Sequence, residues 1–289
     1  MNAIEPAALD TGLARVHALS HTRIDSPMLG PDAGFSQRMA WLIEEIARQV
    51  TRTRKRFPGG TCMSIICTTT LSKMLTGWDR QAQGLFDQLE ARTGLRPAAL
   101  VQAYQCAGWG FAMRFAVRHT AERRLLLSIV DADLHEMMGA GYEAAIDKIG
   151  FGVTTVALEL APELPTLRCE GPFPNHGFTE LLHAVCHLHE KHGPTPTFLP
   201  FLQEGLAAIA QRCVGEPLAR NRHAVYGHTF GADPWIGLSE WLQTERPADE
   251  REVTLGAFAF DGYFTVGNFQ VGPHTAVELR TDALHGSSK

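Results

Sequence analysis

Strands and helices alternate along this chain, and that alternation predicts an α/β layered protein. Two observations carry the expectation. Leu100 to Phe115 reads as a short buried strand, a tight turn and a helix, with Cys106 at the turn. On either side, apolar runs of strand length are separated by segments whose apolar residues recur at helical spacing.

The elements follow in order. Met1 to Thr11 reads as a loose tail, Leu13 to Leu19 as the first edge of a sheet, and His21 to Gly34, with Pro27, Gly30 and Pro31, as loop. In Phe35 to Val50, Met39, Leu42, Ile43, Ile46 and Val50 fall on one helical face. Phe57 to Gly60 breaks the chain. Thr61 to Thr70, rich in Ile, Cys and Thr, suits a buried strand, and Gly84 to Thr93 a helix stopped at Gly94. After the cysteine helix come strands at Arg123 to Val130 and Gly152 to Leu160. Asp131 and Asp133 read as a polar strand end. Ala161 to Pro174 is a proline-bearing link.

Beyond the link, helices are expected at Phe178 to Lys191, Leu202 to Arg212 and Pro234 to Leu242. Strands are expected at Thr197 to Leu199, Glu252 to Phe260 and, as the last one, Tyr263 to Val271. Asp282 to Lys289 reads as frayed.

Composition narrows the function. The 289 residues are 45% apolar and 20% charged, enough for a large core. A net charge of -5 argues against nucleic acid as a partner. The basic run Arg52 to Arg56 reads as a helix end or solvated surface, with a contact for an acidic carrier or a cofactor phosphate as the alternative. Six cysteines are scattered with no Cys-x-x-Cys pair, and Met1 to Asp10 has none of the marks of a leader peptide. A reducing cytoplasm is therefore expected. No apolar stretch is long enough to span a bilayer, so no membrane partner is expected.

Two groups of residues invite chemistry. Small residues after Cys106 let the chain bend closely around it, and a thiol at a helix N-terminus is favoured as thiolate. Such a thiolate can attack a thioester carbonyl; a buried structural cysteine is the alternative. His228 follows Gly227 in a loop before a helix, where an imidazole can exchange a proton with a thiol near neutral pH; a turn histidine with no chemistry is the alternative. His183 and His187 share a face of the helix Phe178 to Lys191, but Ala184 stands where a zincin motif needs glutamate, so no metal site is expected.

Gln105-Cys106-Ala107-Gly108-Trp109 resembles the nucleophile turn of the type III ketoacyl synthases, which have the thiolase fold. Ile149 to Leu158 resembles the segment leading into the last strand of that family's first half. Tyr226 to Asp233 resembles the loop and helix start that carry its catalytic asparagine. The resemblance implies a thiolase-like layered fold of two similar halves, 1–160 with the nucleophile and 161–289. It carries the family's cysteine to Cys106. The histidine motif Pro-His-Gln-Ala-Asn falls on Pro200 to Glu204, which puts Phe201 in the place of the histidine. The asparagine falls on His228.

In the family the histidine and asparagine hold the carbonyl oxygen that gains charge as malonyl thioester decarboxylates. Phe201 cannot do so. The resemblance therefore implies an acyltransferase that loads Cys106 from a coenzyme A or acyl carrier protein thioester, with Cys106 and His228 as its catalytic residues. Glu204 is a candidate to orient His228 or act as a base; a solvated or salt-bridged glutamate is the alternative. No permanently bound cofactor is implied. A homodimer, or a heterodimer with a related synthase, is the expected assembly. The alternatives are a non-catalytic helper subunit of a ketosynthase and an atypical decarboxylative ketosynthase.

Overall fold

A computed structural model describes residues 12–25, 28–57, 61–71, 78–119, 121, 123–134 and 147–281. In chain order these form β1 (Ala14–Ile24), α1 (Phe35–Arg54), β2 (Met63–Cys67), α2 (Trp78–Thr93), β3 (Ala99–Val101), α3 (Gly108–His119), β4 (Arg124–Asp131) and β5 (Phe151–Glu159). There follow β6 (Arg168–Glu170), α4 (Gly177–His192), β7 (Thr197–Phe198), α5 (Glu204–Val214), α6 (His223–Tyr226), α7 (Asp233–Glu245), β8 (Arg251–Phe258), β9 (Phe264–Val271) and β10 (Ala276–Arg280). The tails expected at Met1 to Thr11 and Asp282 to Lys289 lie outside the described residues.

The strands run in the order β3-β2-β4-β5-β1-β9-β8-β7, with β10 also paired to β1 and β6 to β9. β2 is parallel to β3 and β4, while β5 is antiparallel to both β4 and β1. β1 is the seam. It pairs with β5 along nearly its whole length, and on its other side with β9 and then β10. It is therefore a central strand, not the expected first edge.

The expected loop from His21 is also shorter than read, because β1 continues to Ile24. The polar residues at this end of β1 find partners inside the protein. His21 Nδ1 lies 2.8 Å from Thr154 Oγ1, and Gln49 on α1 donates to Thr22 Oγ1 at 3.1 Å. Two short strands were not expected, β6 inside the link and β10 after the supposed last strand. Each is short and pairs with a longer neighbour, β6 with β9 and β10 with β1. The basic run closes α1, where Arg52 meets Glu278 on β10 at 2.5 Å.

Apolar faces account for the packing. Leu42, Ile43, Ile46 and Val50 of α1 join Ile66, Leu126, Val153 and Ala157 of the sheet in one buried cluster. Trp109 of α3 and Trp235 of α7 meet edge to face at 5.4 Å in another, which also holds Phe269 of β9 and Val156 of β5. Stacking of this kind adds to the burial of two large rings.

His21 makes the fold sensitive to acid. It is wholly buried, and burial, aided by Arg23, pushes its pKa down to about 3, against a smaller upward pull from Glu45. The folded protein therefore keeps His21 neutral where the unfolded chain would protonate it. The stability this contributes is present above pH ~6.5 and lost as pH falls towards 3, by roughly 1.4 kcal/mol per pH unit. Urea unfolding of wild type and His21→Gln should show a stability difference that shrinks at this rate between pH 6 and pH 4. A difference independent of pH would contradict a neutral buried His21.

Candidate active site

β3 ends at Val101, and the chain then turns sharply into α3. Gln105 takes a positive φ of 44°, rare for a residue with a side chain, and Gln105 to Ala107 form one 3-10 turn. The turn is braced from outside. Tyr104 stacks on Phe111 at 3.7 Å, Tyr263 packs edge-on to Tyr104 at 5.2 Å, and the Gln105 amide donates to Asp261. Behind it, Gly110 lets α3 approach β9. A Cβ there would lie 1.7 Å from Thr265 Oγ1 and 2.8 Å from Cys169 Sγ. Cys106 is thus held at the helix start with 3% of its surface exposed.

His228 comes from the other part of the chain. Gly227, at φ 73°, turns the backbone after α6. His228 N–H then donates to the Lys148 carbonyl at 2.7 Å, and Gly150 N–H donates to the His228 carbonyl at 2.9 Å. The glycine-rich approach to β5 is therefore what seats the histidine. The next turn, Phe230 to Ala232, presses on the cysteine turn so closely that a Cβ on Gly231 would sit 2.9 Å from the Cys106 carbonyl oxygen.

These contacts bring the two expected residues together across 122 positions of sequence. Cys106 Sγ lies 3.7 Å from His228 Nε2. A third residue completes the arrangement. Asp233, the first residue of α7, is fully buried, and its Oδ2 accepts the His228 Nδ1 proton at 2.5 Å. The same oxygen accepts Phe201 N–H at 2.9 Å, while Oδ1 accepts Thr229 N–H at 2.6 Å and the Thr229 hydroxyl. A carboxylate only accepts, so Nδ1 carries a proton and Nε2 is the atom left to deal with the sulfur. Burial alone would push His228 down. The charge and hydrogen bond of Asp233, then Cys106, outweigh it and hold the imidazole well above its ordinary pKa.

Sequence reasoning missed Asp233; it weighed Glu204 as the orienting group against a solvated glutamate, and the solvated reading holds. Glu204 is exposed at the start of α5, while Asp233 holds the ring. The available signal was an acid five residues after His228, but an acid beside Pro234 also reads as an ordinary helix start. Phe201 is buried, and its ring stacks on Tyr226 at 5.7 Å. At this position the chain supplies a backbone donor to Asp233 and no polar side chain. Trp109 and Trp235 are buried in the core, and Phe115 is 38% exposed. On α4, His189 Nε2 bonds Thr197 Oγ1 at 2.9 Å, and no group of three or more metal-ligating side chains occurs among the described residues.

The single ten-stranded sheet with helices packed against it, and the cysteine turn opposite the His228 loop, match a thiolase fold of the kind seen in type III ketoacyl synthases. The chain aligns with 3-oxoacyl-(acyl carrier protein) synthase III, FabH, from Pseudomonas aeruginosa PAO1 over 90% of its own length and 98% of that chain, at 14% identity and a TM-score of 0.61. The priming β-ketosynthase of the R1128 polyketide pathway gives 12% identity over 90% and 96%, with a TM-score of 0.62. ChlB3, described as an acyltransferase, gives 13% identity over 91% and 99%, with a TM-score of 0.61. No family model matches the chain, and no curated protein matches it in sequence. At these identities the likeness establishes the fold and leaves the reaction to the site.

Proposed function

We propose that this protein is a thioester-dependent acyltransferase that carries its acyl group on Cys106. The observation behind the reading is the Cys106–His228–Asp233 relay, with 3.7 Å between sulfur and Nε2 and 2.5 Å between Nδ1 and carboxylate. With the proton on His228, the Cys106 thiolate attacks the carbonyl carbon of a coenzyme A or carrier-protein thioester. The carbon–sulfur bond of the donor breaks, and the departing thiolate takes the proton from Nε2. Neutral His228 then accepts the proton of an incoming amine, alcohol or thiol, which attacks the Cys106 thioester. The Cys106 thiolate leaves, and His228 is again protonated.

Phe201 favours transfer over decarboxylative condensation, since it offers no side-chain donor to a developing enolate oxygen. The name given to the structural neighbour ChlB3 is in keeping with this. We retain a division at 160/161. The nucleophile then comes from the first part and both of its partners from the second. A reducing cytoplasm suits a working thiol, and no helix among the described residues is long and apolar enough to cross a membrane. Assembly as a homodimer, or with a related synthase, rests on the fold alone, and sedimentation of the purified protein would read it out.

The test is the intact mass of the protein after incubation with a panel of acyl thioesters, with carbon dioxide release followed when the donor is malonyl. A stoichiometric mass gain without carbon dioxide is the expected result. Carbon dioxide release would turn the reading into condensation. No gain from any donor, in folded protein, would favour the helper-subunit role that the absence of a histidine at Phe201 also permits.

A further inference from the structure

The turn after β2 is built around a buried carboxylate that the acyl-transfer steps leave unused. Asp131 closes β4 and is 2% exposed. Its Oδ1 accepts Thr69 N–H at 2.7 Å, Thr70 N–H at 2.9 Å and the Thr68 hydroxyl at 3.2 Å. Thr68 Oγ1 in turn accepts Leu71 N–H at 3.0 Å. Thr70 Oγ1 donates to the Ala132 carbonyl at 3.2 Å and accepts Ala132 N–H at 2.9 Å. Residues 68 to 70 are thereby tied to the end of β4 at every position, and Leu71 is tied back to Thr68. Burial pushes Asp131 up to about 6, against the opposing pull of these hydrogen bonds. The sequence suggested a polar strand end here; the acid is instead the internal anchor of a turn.

That turn faces the nucleophile. Thr69 Oγ1 lies 4.0 Å from Cys106 Sγ, within reach of a long hydroxyl–sulfur hydrogen bond. We propose that Thr69 is a second hydrogen-bond donor to the Cys106 sulfur, alongside His228, and that Asp131 is the positioning residue that aims it. A hydroxyl donor favours the thiolate over the thiol, and a carboxylate gripping two successive backbone N–H groups fixes where that hydroxyl points. The inference rests on the reading of Cys106 as the acyl carrier.

The titratable groups packed around this corner are His228 backed by Asp233, Asp131 and Asp133 at the end of β4, and Cys67 on β2. Burial, then Asp131, raises the Cys67 thiol so that it stays protonated. The test is the rate of Cys106 alkylation by iodoacetamide as a function of pH, read by peptide mass mapping so that exposed Cys213 does not contribute. Thr69→Val should lower the rate at neutral pH roughly 3- to 10-fold and move the profile to higher pH, and Thr69→Ser should restore it. Asp131→Asn should act in the same direction, yet add little in a Thr69→Val background, because Asp131 works through Thr69.

A wild-type profile for Thr69→Val, or an Asp131→Asn effect that is undiminished without the Thr69 hydroxyl, would overturn the proposal. The Thr69 variants decide the sulfur contact even if Asp131→Asn folds poorly. Acyl loading of the same proteins separates the two readings. A shifted alkylation profile with no acyl group on Cys106 would sink the acyl-carrier role and leave the Thr69 contact standing.

Discussion

Cys106→Ala should abolish the acyl mass gain and all transfer above the background rate, while leaving the protein folded. The substitution removes one sulfur atom from a site whose shape is set by backbone contacts, so the turn has no reason to rearrange. The two other thiols in the sheet core beside the turn are poor substitutes. Cys67 is fully buried and pushed up by burial and by Asp131. Cys169 is pushed up to about 11 by burial, in spite of its hydrogen bond with Thr265 and the nearby Arg114. Neither offers a thiolate at neutral pH. Exposed Cys213 can give slow nonspecific labelling, which peptide mapping distinguishes. Intact mass and a circular dichroism spectrum check both halves of the expectation. An unchanged mass gain in the folded variant would remove Cys106 from the chemistry.

Asp233→Asn should slow transfer by roughly 10²- to 10⁴-fold, as misorienting a catalytic histidine does. The argument is one of donors and acceptors. Thr229 N–H and its hydroxyl can still be met by the amide oxygen. The amide nitrogen then faces His228 Nδ1 and Phe201 N–H, where the carboxylate accepts two protons. Donor meets donor, and the imidazole relieves the clash by moving its proton to Nε2, the atom that must take one from the acceptor. The variant also removes the charge that holds His228 well above its ordinary pKa. A histidine raised in the folded state contributes stability that is complete below ~pH 6.5 and is lost as pH rises through the folded value. Asp233→Asn should therefore flatten that alkaline loss. Acyl-transfer kinetics and urea unfolding at several pH values measure the two effects. A near-wild-type rate would show that His228 needs no carboxylate.

Much of this protein was legible in its residues because the relevant signals are local. Strand-length apolar runs and helical spacing report which face of an element is buried, and they placed α1, β2, α3, β4, β5, β8 and β9 to within a few residues. The cysteine turn and the His228 loop were legible for the same reason: small residues, a glycine and a helix start lie within a few positions of each group. What stayed hidden depends on neighbours far away in the chain. β1 is a central strand because β5, β9 and β10 flank it, and its polar His21 and Thr22 find their partners, Thr154 and Gln49, only across the fold. β10 has only Val277 and Leu279 on its apolar face, too short an alternation to announce a strand before β1 pairs with it.

The sequence by itself determined that this is an α/β protein with a thiol at a tight turn and an imidazole at another. Only the tertiary structure decided that the two meet, because 122 residues separate them and the meeting requires the Lys148–Gly150 backbone to seat His228 and Gly231 to press against Cys106. It also decided which acid completes the relay. Asp233 and Glu204 both open helices and are equal as residue types. Burial made one of them a fixed acceptor with four donors and left the other in solvent, and a pattern of residue types carries no record of that difference.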